Sequence, residues 1–330
     1  MAQFDLPLAE LEAYRPERRE PADFDAFWER TLAEARSHPL DARFERVDAP
    51  FPLIDAFDVT YGGFAGQRIR AWLLLPAAGA IPRPLPAVVQ YVGYGGGRGL
   101  VQDHFLWPAA GYANLVMDTR GQGSAWSQGD TPDVEPEGMG GPQHPGFVTR
   151  GIASPDRWYY RRLYTDAVRA VEAARAHEAV DSTRVVVSGA SQGGGMSLAV
   201  SALVPDLRAA LIDVPFMTHI RRAIEVTDSM PYGELTRYLA IRRDEADQAL
   251  ATVEYADGLH FAARARTPSL WSVGLRDEIT PPSTVFAAYN HYAGPKEIRV
   301  LPWSGHEAGM LQHANAQLAF LEGLSLRDAG

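Results

Sequence analysis

The sequence contains no cysteine among its 330 residues. That absence excludes disulfides, thiolate metal sites and a cysteine nucleophile, so covalent catalysis would have to use another side chain. Long apolar runs are missing too: no window reaches the about 18 uninterrupted apolar residues that a membrane-crossing helix needs. Positive charge is in deficit, with 31 Lys and Arg against 41 Asp and Glu and a formal net charge of −10. Nucleic acid and anionic membrane surfaces select the opposite sign, so neither is an expected partner. The first 25 residues carry no basic stretch followed by an apolar one. A secretory signal is therefore not expected, and a cytoplasmic protein is the reading. Repeats, low-complexity tracts and Ser/Gly linkers are lacking as well, which favours a single domain over residues 1–330.

What is present is 46% apolar residues, enough to fill one large core, together with 30 Gly and 24 Pro. So much Gly and Pro does not suit a helical bundle but does suit an enzyme with many loops. Residues 1–56 read as an amino-terminal arm. In it Pro21-Ala22-Asp23 opens a helix with Phe24, Phe27, Trp28, Leu32 and Ala35 at helical spacing. Residues 58–61 and 67–75, separated by glycines, read as a hairpin. From Ala87 onward short apolar runs recur, at residues 87–92, 113–117, 184–187, 209–212, 269–273 and 297–301. They have the texture of strands buried on both faces. Helical stretches fall at residues 161–177, 191–203, 282–292 and 308–324. This alternation predicts an α/β fold, a mostly parallel central sheet with helices on both faces. The rhythm breaks at residues 215–262, an insertion after the sixth predicted strand, which reads equally as a packing excursion or as a subunit interface.

The strongest local signal is Gly189-Ala190-Ser191-Gln192-Gly193, placed after a buried strand and opening a helix. Gly-x-Ser-x-Gly in that setting is a nucleophile elbow: the turn leaves no room for side chains at its glycines and lifts the serine hydroxyl above the sheet edge. The bland alternative is a glycine-rich turn with a helix-capping serine. A serine hydroxyl needs a base, and of nine histidines only His306 follows the last strand and precedes the last helix. His38, His177 and His313 read as exposed helix or loop positions. His104 and His144 precede the elbow, and His219, His260 and His291 fall in helix or insertion. The acid that orients the base belongs after the preceding strand, where Asp277 stands, with Glu278 and Asp213 as rivals. Two amide donors complete an acyl-transfer site. One is the N–H of Gln192. The other is the N–H of Tyr94 in the loop Gly93-Tyr94-Gly95-Gly96-Gly97, which has no Gly-Lys-Ser/Thr ending and so is not a phosphate cradle. Trp107, Trp126 and Trp303, with Tyr94, are candidates to line a sugar or acyl site, although core packing explains each tryptophan as well.

These residues resemble a known family. Asp118-Thr119-Arg120-Gly121-Gln122-Gly123-Ser124, the elbow continued to Gly195, and Gly305-His306-Glu307 are together similar to the acetyl xylan esterase/cephalosporin-C deacetylase family, carbohydrate esterase family 7, on the α/β-hydrolase fold. Gly129-Asp130-Thr131-Pro132 and Tyr159-Tyr160-Arg161-Arg162 are similar too, and the likeness runs over residues 24–324. It implies a Ser191–His306–Asp277 triad, an oxyanion hole from Tyr94 and Gln192, and Arg120, Gln122 and Glu307 supporting the site from behind. It further implies a cytoplasmic homohexamer, a small acyl pocket and no metal or organic cofactor. The expected activity is removal of acetyl groups from small esters such as acetylated xylo-oligosaccharides and cephalosporin-C-type acetates. The alternatives are a peptidase or amidase on the same fold and a broader short-chain carboxylesterase.

Overall fold

A computed structural model describes residues 3–48, 50–134 and 145–327. Its strands are β1 (Arg43–Val47), β2 (Ile54–Gly62), β3 (Arg68–Pro76), β4 (Leu85–Tyr91), β5 (Ala113–Met117), β6 (Val180–Ala190), β7 (Ala209–Asp213), β8 (Ser269–Gly274) and β9 (Lys296–Leu301). Its helices are α1 (Leu8–Ala13), α2 (Phe24–Arg36), α3 (Leu106–Ala109), α4 (Tyr159–Arg175), α5 (Gln192–Leu203), α6 (Ile220–Val226), α7 (Tyr232–Ile241), α8 (Ala246–Val253), α9 (Gly258–Ala262), α10 (Pro282–His291) and α11 (Met310–Gly323). The strands form one sheet in the order β1-β2-β3-β5-β4-β6-β7-β8-β9. β1, β2, β3 and β5 pair antiparallel, and every pairing from β5 through β4 to β9 is parallel.

The apolar runs become the central strands because both of their faces are covered. On one face Val89, Tyr91, Val187, Ile212 and Trp271 meet the helices of the larger core, to which α2, α4, α5, α9 and α10 contribute. On the other face Val88, Val186, Leu211 and Leu270 pack under Trp107 of α3 and Leu321 of α11. The fold is therefore the expected α/β sheet flanked by helices, of the α/β-hydrolase type. One strand escaped the sequence pattern: β1 is a half-exposed edge strand without a continuous apolar run. Its presence puts the insertion after the seventh strand.

The arm and the insertion pack against each other. Leu11 joins the larger core, Asp5 accepts the Ser283 N–H at the start of α10 (2.7 Å), and the Trp28 indole donates to the Tyr255 carbonyl (2.9 Å). The insertion holds α6 to α9 and sends Phe216, Tyr232 and Phe261 into the core; the Phe216 and Tyr232 rings lie 4.4 Å apart. Between β5 and α4 the chain runs through loops without regular structure among the described residues, and His144 lies outside those residues.

Candidate active site

β6 ends at Ala190 and α5 begins at Gln192, so Ser191 alone makes the turn. Its backbone stands at φ 58 and ψ −120, a conformation that costs a residue with a side chain on the order of 1–3 kcal/mol. The surroundings explain the two glycines. A Cβ on Gly189 would lie 2.4 Å from the Gly193 carbonyl carbon, and a Cβ on Gly193 would lie 2.3 Å from the Tyr91 carbonyl oxygen. The strained turn is pinned on three sides: Ser191 N–H donates to the Asp213 carbonyl (2.9 Å), and its own carbonyl accepts from Gly195 (3.0 Å) and Phe216 (2.9 Å).

Ser191 and His306 line one cavity of about 1320 Å³ at the carboxyl ends of the parallel strands. His306, in the loop between β9 and α11, has its Nδ1 2.8 Å from Asp277 Oδ2. Asp277, fully buried in the loop after β8, also accepts the N–H groups of Ile279 (2.8 Å) and Thr280 (2.9 Å) and the Thr280 hydroxyl (2.8 Å). Those donors fix its orientation. Neither rival acid reaches His306. Asp213 is bonded to His313, Gln317 and Ser272, and among the described residues His306 Nδ1 meets Asp277 and the Thr280 hydroxyl, not Glu278.

The amide of Gln192 heads α5, where the helix dipole favours negative charge. The amide of Tyr94 lies in the loop after β4, which passes so near that a Cβ on Gly93 would stand 4.0 Å from the Ser191 Cβ. Among the described residues neither amide N–H has a partner. The Tyr94 loop is held from several directions. Gly95 N–H donates to the Gln122 side chain (2.6 Å), and the Trp126 indole donates to the Tyr94 carbonyl (2.8 Å). The Tyr94 hydroxyl donates to Glu234 of α7 (2.6 Å) and accepts from Phe147 N–H (2.8 Å). Burial first, then the Glu234 carboxylate, push the Tyr94 phenol well above its ordinary pKa, so it stays neutral.

Gln122 joins this loop to the elbow, since its amide also donates to the Gln192 side chain (3.0 Å) and to the Tyr159 hydroxyl (3.0 Å). Arg120 stands behind it with no exposure. Its guanidinium makes a two-point contact with Asp166 and reaches Asp133 (3.2 Å) and the Gln67 side chain (2.8 Å). Burial disfavours its charge, but the Asp166 and Asp133 carboxylates outweigh this and raise its pKa. On the histidine's side Glu307 accepts the Gly305 N–H (2.8 Å) and is itself exposed.

The acetyl xylan esterase (AXE1) family matches residues 1–324. The chain belongs to this family. Its fold is that of a solved acetyl xylan esterase from Paenibacillus sp. R4, 38% identical, with a TM-score of 0.88 over 96% of this chain and 99% of that one. A second solved structure, acetyl xylan esterase 1 from Thermoanaerobacterium sp. JW/SL YS485, is 32% identical, with a TM-score of 0.85 over 98% of this chain and 100% of that one. The acetyl esterase Axe7A of Xylanibacter ruminicola is 25% identical over 302 residues, 89% of this chain, and the chain spans 65% of that relative's length. Within the acetyl xylan esterases these relations place the chain with carbohydrate esterase family 7, whose members are carboxylic ester hydrolases.

In this family member the four aromatic candidates separate. Tyr94, Trp107 and Trp126 line the cavity. Trp126 is 65% exposed, whereas Trp107 is buried and serves the core beneath α3 at the same time. Trp303 is not brought to the cavity lining. It stands 81% exposed where the chain turns out of β9, with the Arg276 guanidinium 6.0 Å from its ring. His313 corrects an expectation in the other direction: the supposedly exposed histidine is 3% exposed and bonded to Asp213 (2.6 Å). Sequence reasoning missed Glu234, Gln317, Asp133, Asp166 and the buried Arg98. Arg98 lies 3.8 Å from the Trp72 ring and reaches Asp58 (2.7 Å) and Asp130 (2.9 Å). None of them sits in a local pattern; each is defined by partners distant in the chain.

Proposed function

We propose that the protein is a serine esterase that removes acetyl groups from small esters, acetylated xylo-oligosaccharides foremost and cephalosporin-C-type acetates as a second class. The observation that carries this reading is the His306–Asp277 contact of 2.8 Å in the cavity that presents Ser191 on its strained turn. His306 takes the Ser191 proton as the hydroxyl oxygen attacks the acetyl carbonyl, while Asp277 keeps the ring oriented and steadies the imidazolium. The oxyanion is received by the Tyr94 and Gln192 amides, which have no other partner among the described residues. Collapse of the tetrahedral adduct expels the alcohol with the proton held on His306. Water then repeats the sequence on the acetyl-enzyme and releases acetate. Each proton passes through His306: the Ser191 proton leaves with the alcohol, and the proton taken from water returns to Ser191 as acetate departs.

The same proposal takes the chain as one domain, works in the cytoplasm and assembles as a homo-oligomer, a hexamer by family likeness. In support of assembly, the large apolar side chains of Trp303, Met310 and Leu311 are each strongly exposed. Among the described residues no helix is long and apolar enough to cross a membrane. Sedimentation of the purified protein tests the assembly.

Turnover of 4-nitrophenyl acetate by wild-type protein and by Ser191→Ala tests the chemistry, together with an acetate, butyrate and octanoate series. The expected result is acetate preference and loss of about three orders of magnitude or more in kcat for the variant. Full hydrolysis by Ser191→Ala, or preference for octanoate, overturns the reading.

A further inference from the structure

The sheet face that carries α3 and α11 changes character one step below the catalytic edge. Its deeper layer is apolar, with Val88, Val186, Leu211 and Leu270 in one cluster. Two residues further along each strand, on the same face, stand Gln90, Ser188, Asp213 and Ser272. Sheet register sets Gln90 opposite Ser188 and Asp213 opposite Ser272, while Ser188 lies opposite Leu211, so the polar row steps up by two residues between β6 and β7. α11 lays His313 and Gln317 on this row. Asp213 Oδ1 accepts from His313 Nε2 (2.6 Å) and the Ser272 hydroxyl (2.9 Å), and Oδ2 accepts from the Gln317 amide (2.6 Å). Gln90, Ser188, Asp213 and Gln317 line the same cavity as Ser191 and His306.

Folding alone gives no reason for this row, because the apolar layer could continue upward and a polar group deprived of partners costs about 1–3 kcal/mol. Yet the row keeps capacity in hand. Gln90 uses one end of its amide on Asn114 (3.2 Å) and Gln317 uses one end on Asp213, and among the described residues the other ends have no partner. Among the described residues the Ser188 hydroxyl has no partner. The position of the row matters as much as its content. β7, β8 and β9 lie on the histidine's side of β6, whereas the Tyr94 loop follows β4 on the other side. An alcohol that departs with a proton from His306 occupies the histidine's side. Asp213 ends β7, and Gln317 belongs to the helix that follows His306.

We propose that Ser188, Asp213 and Gln317, with Gln90 at the far end, form the subsite for the departing alcohol and select a neutral polyhydroxylated one, the ring of an acetylated sugar. Neighbouring ring hydroxyls each donate and accept, and they match a row made of a hydroxyl, a carboxylate and amides. An alcohol bearing carboxylates faces Asp213 with no Lys or Arg in the row. The inference rests on the esterase reading for its chemistry, but sugar binding can be read without turnover.

The test compares Ser188→Ala and Gln317→Met with wild type on a mono-acetylated methyl xyloside and on 4-nitrophenyl acetate. Binding of the deacetylated methyl xyloside is followed in parallel by saturation-transfer NMR, each substitution being placed in Ser191→Ala protein. The expected result is a fall of about tenfold in kcat/KM for the sugar acetate, mostly through KM. The loss on 4-nitrophenyl acetate should be several times smaller, and the xyloside signal should weaken. Equal losses on both esters, or undiminished xyloside binding, overturn the subsite. Failure of wild type to hydrolyse either ester overturns the esterase reading separately, and the NMR comparison still decides the subsite.

Discussion

The two halves of the site are built to different standards of rigidity. On the oxyanion side the Tyr94 loop is tied by Gln122, Trp126, Glu234 and Phe147, and Gln122 is itself bonded to Gln192 and Tyr159. On the histidine's side His306 keeps 25% of its side chain exposed, and one carboxylate orients it. The difference follows from the tasks. Amide donors stabilise developing charge only if they stand in place before it appears, so movement there is lost catalysis. The base must exchange protons with a hydroxyl, an alcohol and water in turn, and so it has to be reachable.

Substitutions on each side sharpen this contrast. Asp277→Asn replaces the carboxylate that makes the shortest contact to His306 Nδ1, ahead of the Thr280 hydroxyl at 3.4 Å, and kcat on acetate esters should fall by about 10³–10⁴ with little change in KM. A steady-state comparison checks it, and a drop of less than tenfold would mean that His306 is held by something else. Arg120→Met should act on stability. It leaves the buried Asp133 and Asp166 carboxylates without their shared partner, a defect worth about 3–5 kcal/mol. The urea midpoint reads this directly, and an unchanged midpoint would show that the network carries no load. Smallest is Gln122→Leu, which frees the Gly95 amide and uncouples the loop from the elbow. A loss of about 10–100-fold in kcat is expected with a far smaller shift in the urea midpoint. Equal damage to both would make Gln122 a core residue and nothing more.

The histidine's side was the more legible of the two in the sequence. Ser191, Asp277 and His306 each sit at a strand end marked by Gly or Pro, and the apolar runs that locate those strand ends are local patterns. The sheet was legible for the same reason, apart from β1, whose half-exposed alternation lacks a continuous run. The bracing of the oxyanion side was not. Asp166 lies in the middle of a helix, and only the fold reveals that Arg120 meets it there. Glu234 looks like any acid on a helix until Tyr94 arrives from far along the chain. His313 and Trp303 were misplaced by one cause: composition says how polar or apolar a side chain is, while its depth is set by which helix or turn lies over it. Family likeness supplied the importance of Arg120 and Gln122, and tertiary contact supplies the reason.

The backbone of Ser191 carries one more consequence. A left-handed φ of 58 is uncomfortable for serine and natural for glycine. At this position the most stable chain and the working chain are therefore different chains. A population of variants screened only for heat resistance would drift toward glycine at 191 and lose its chemistry, so the residue persists only where hydrolysis itself is under selection.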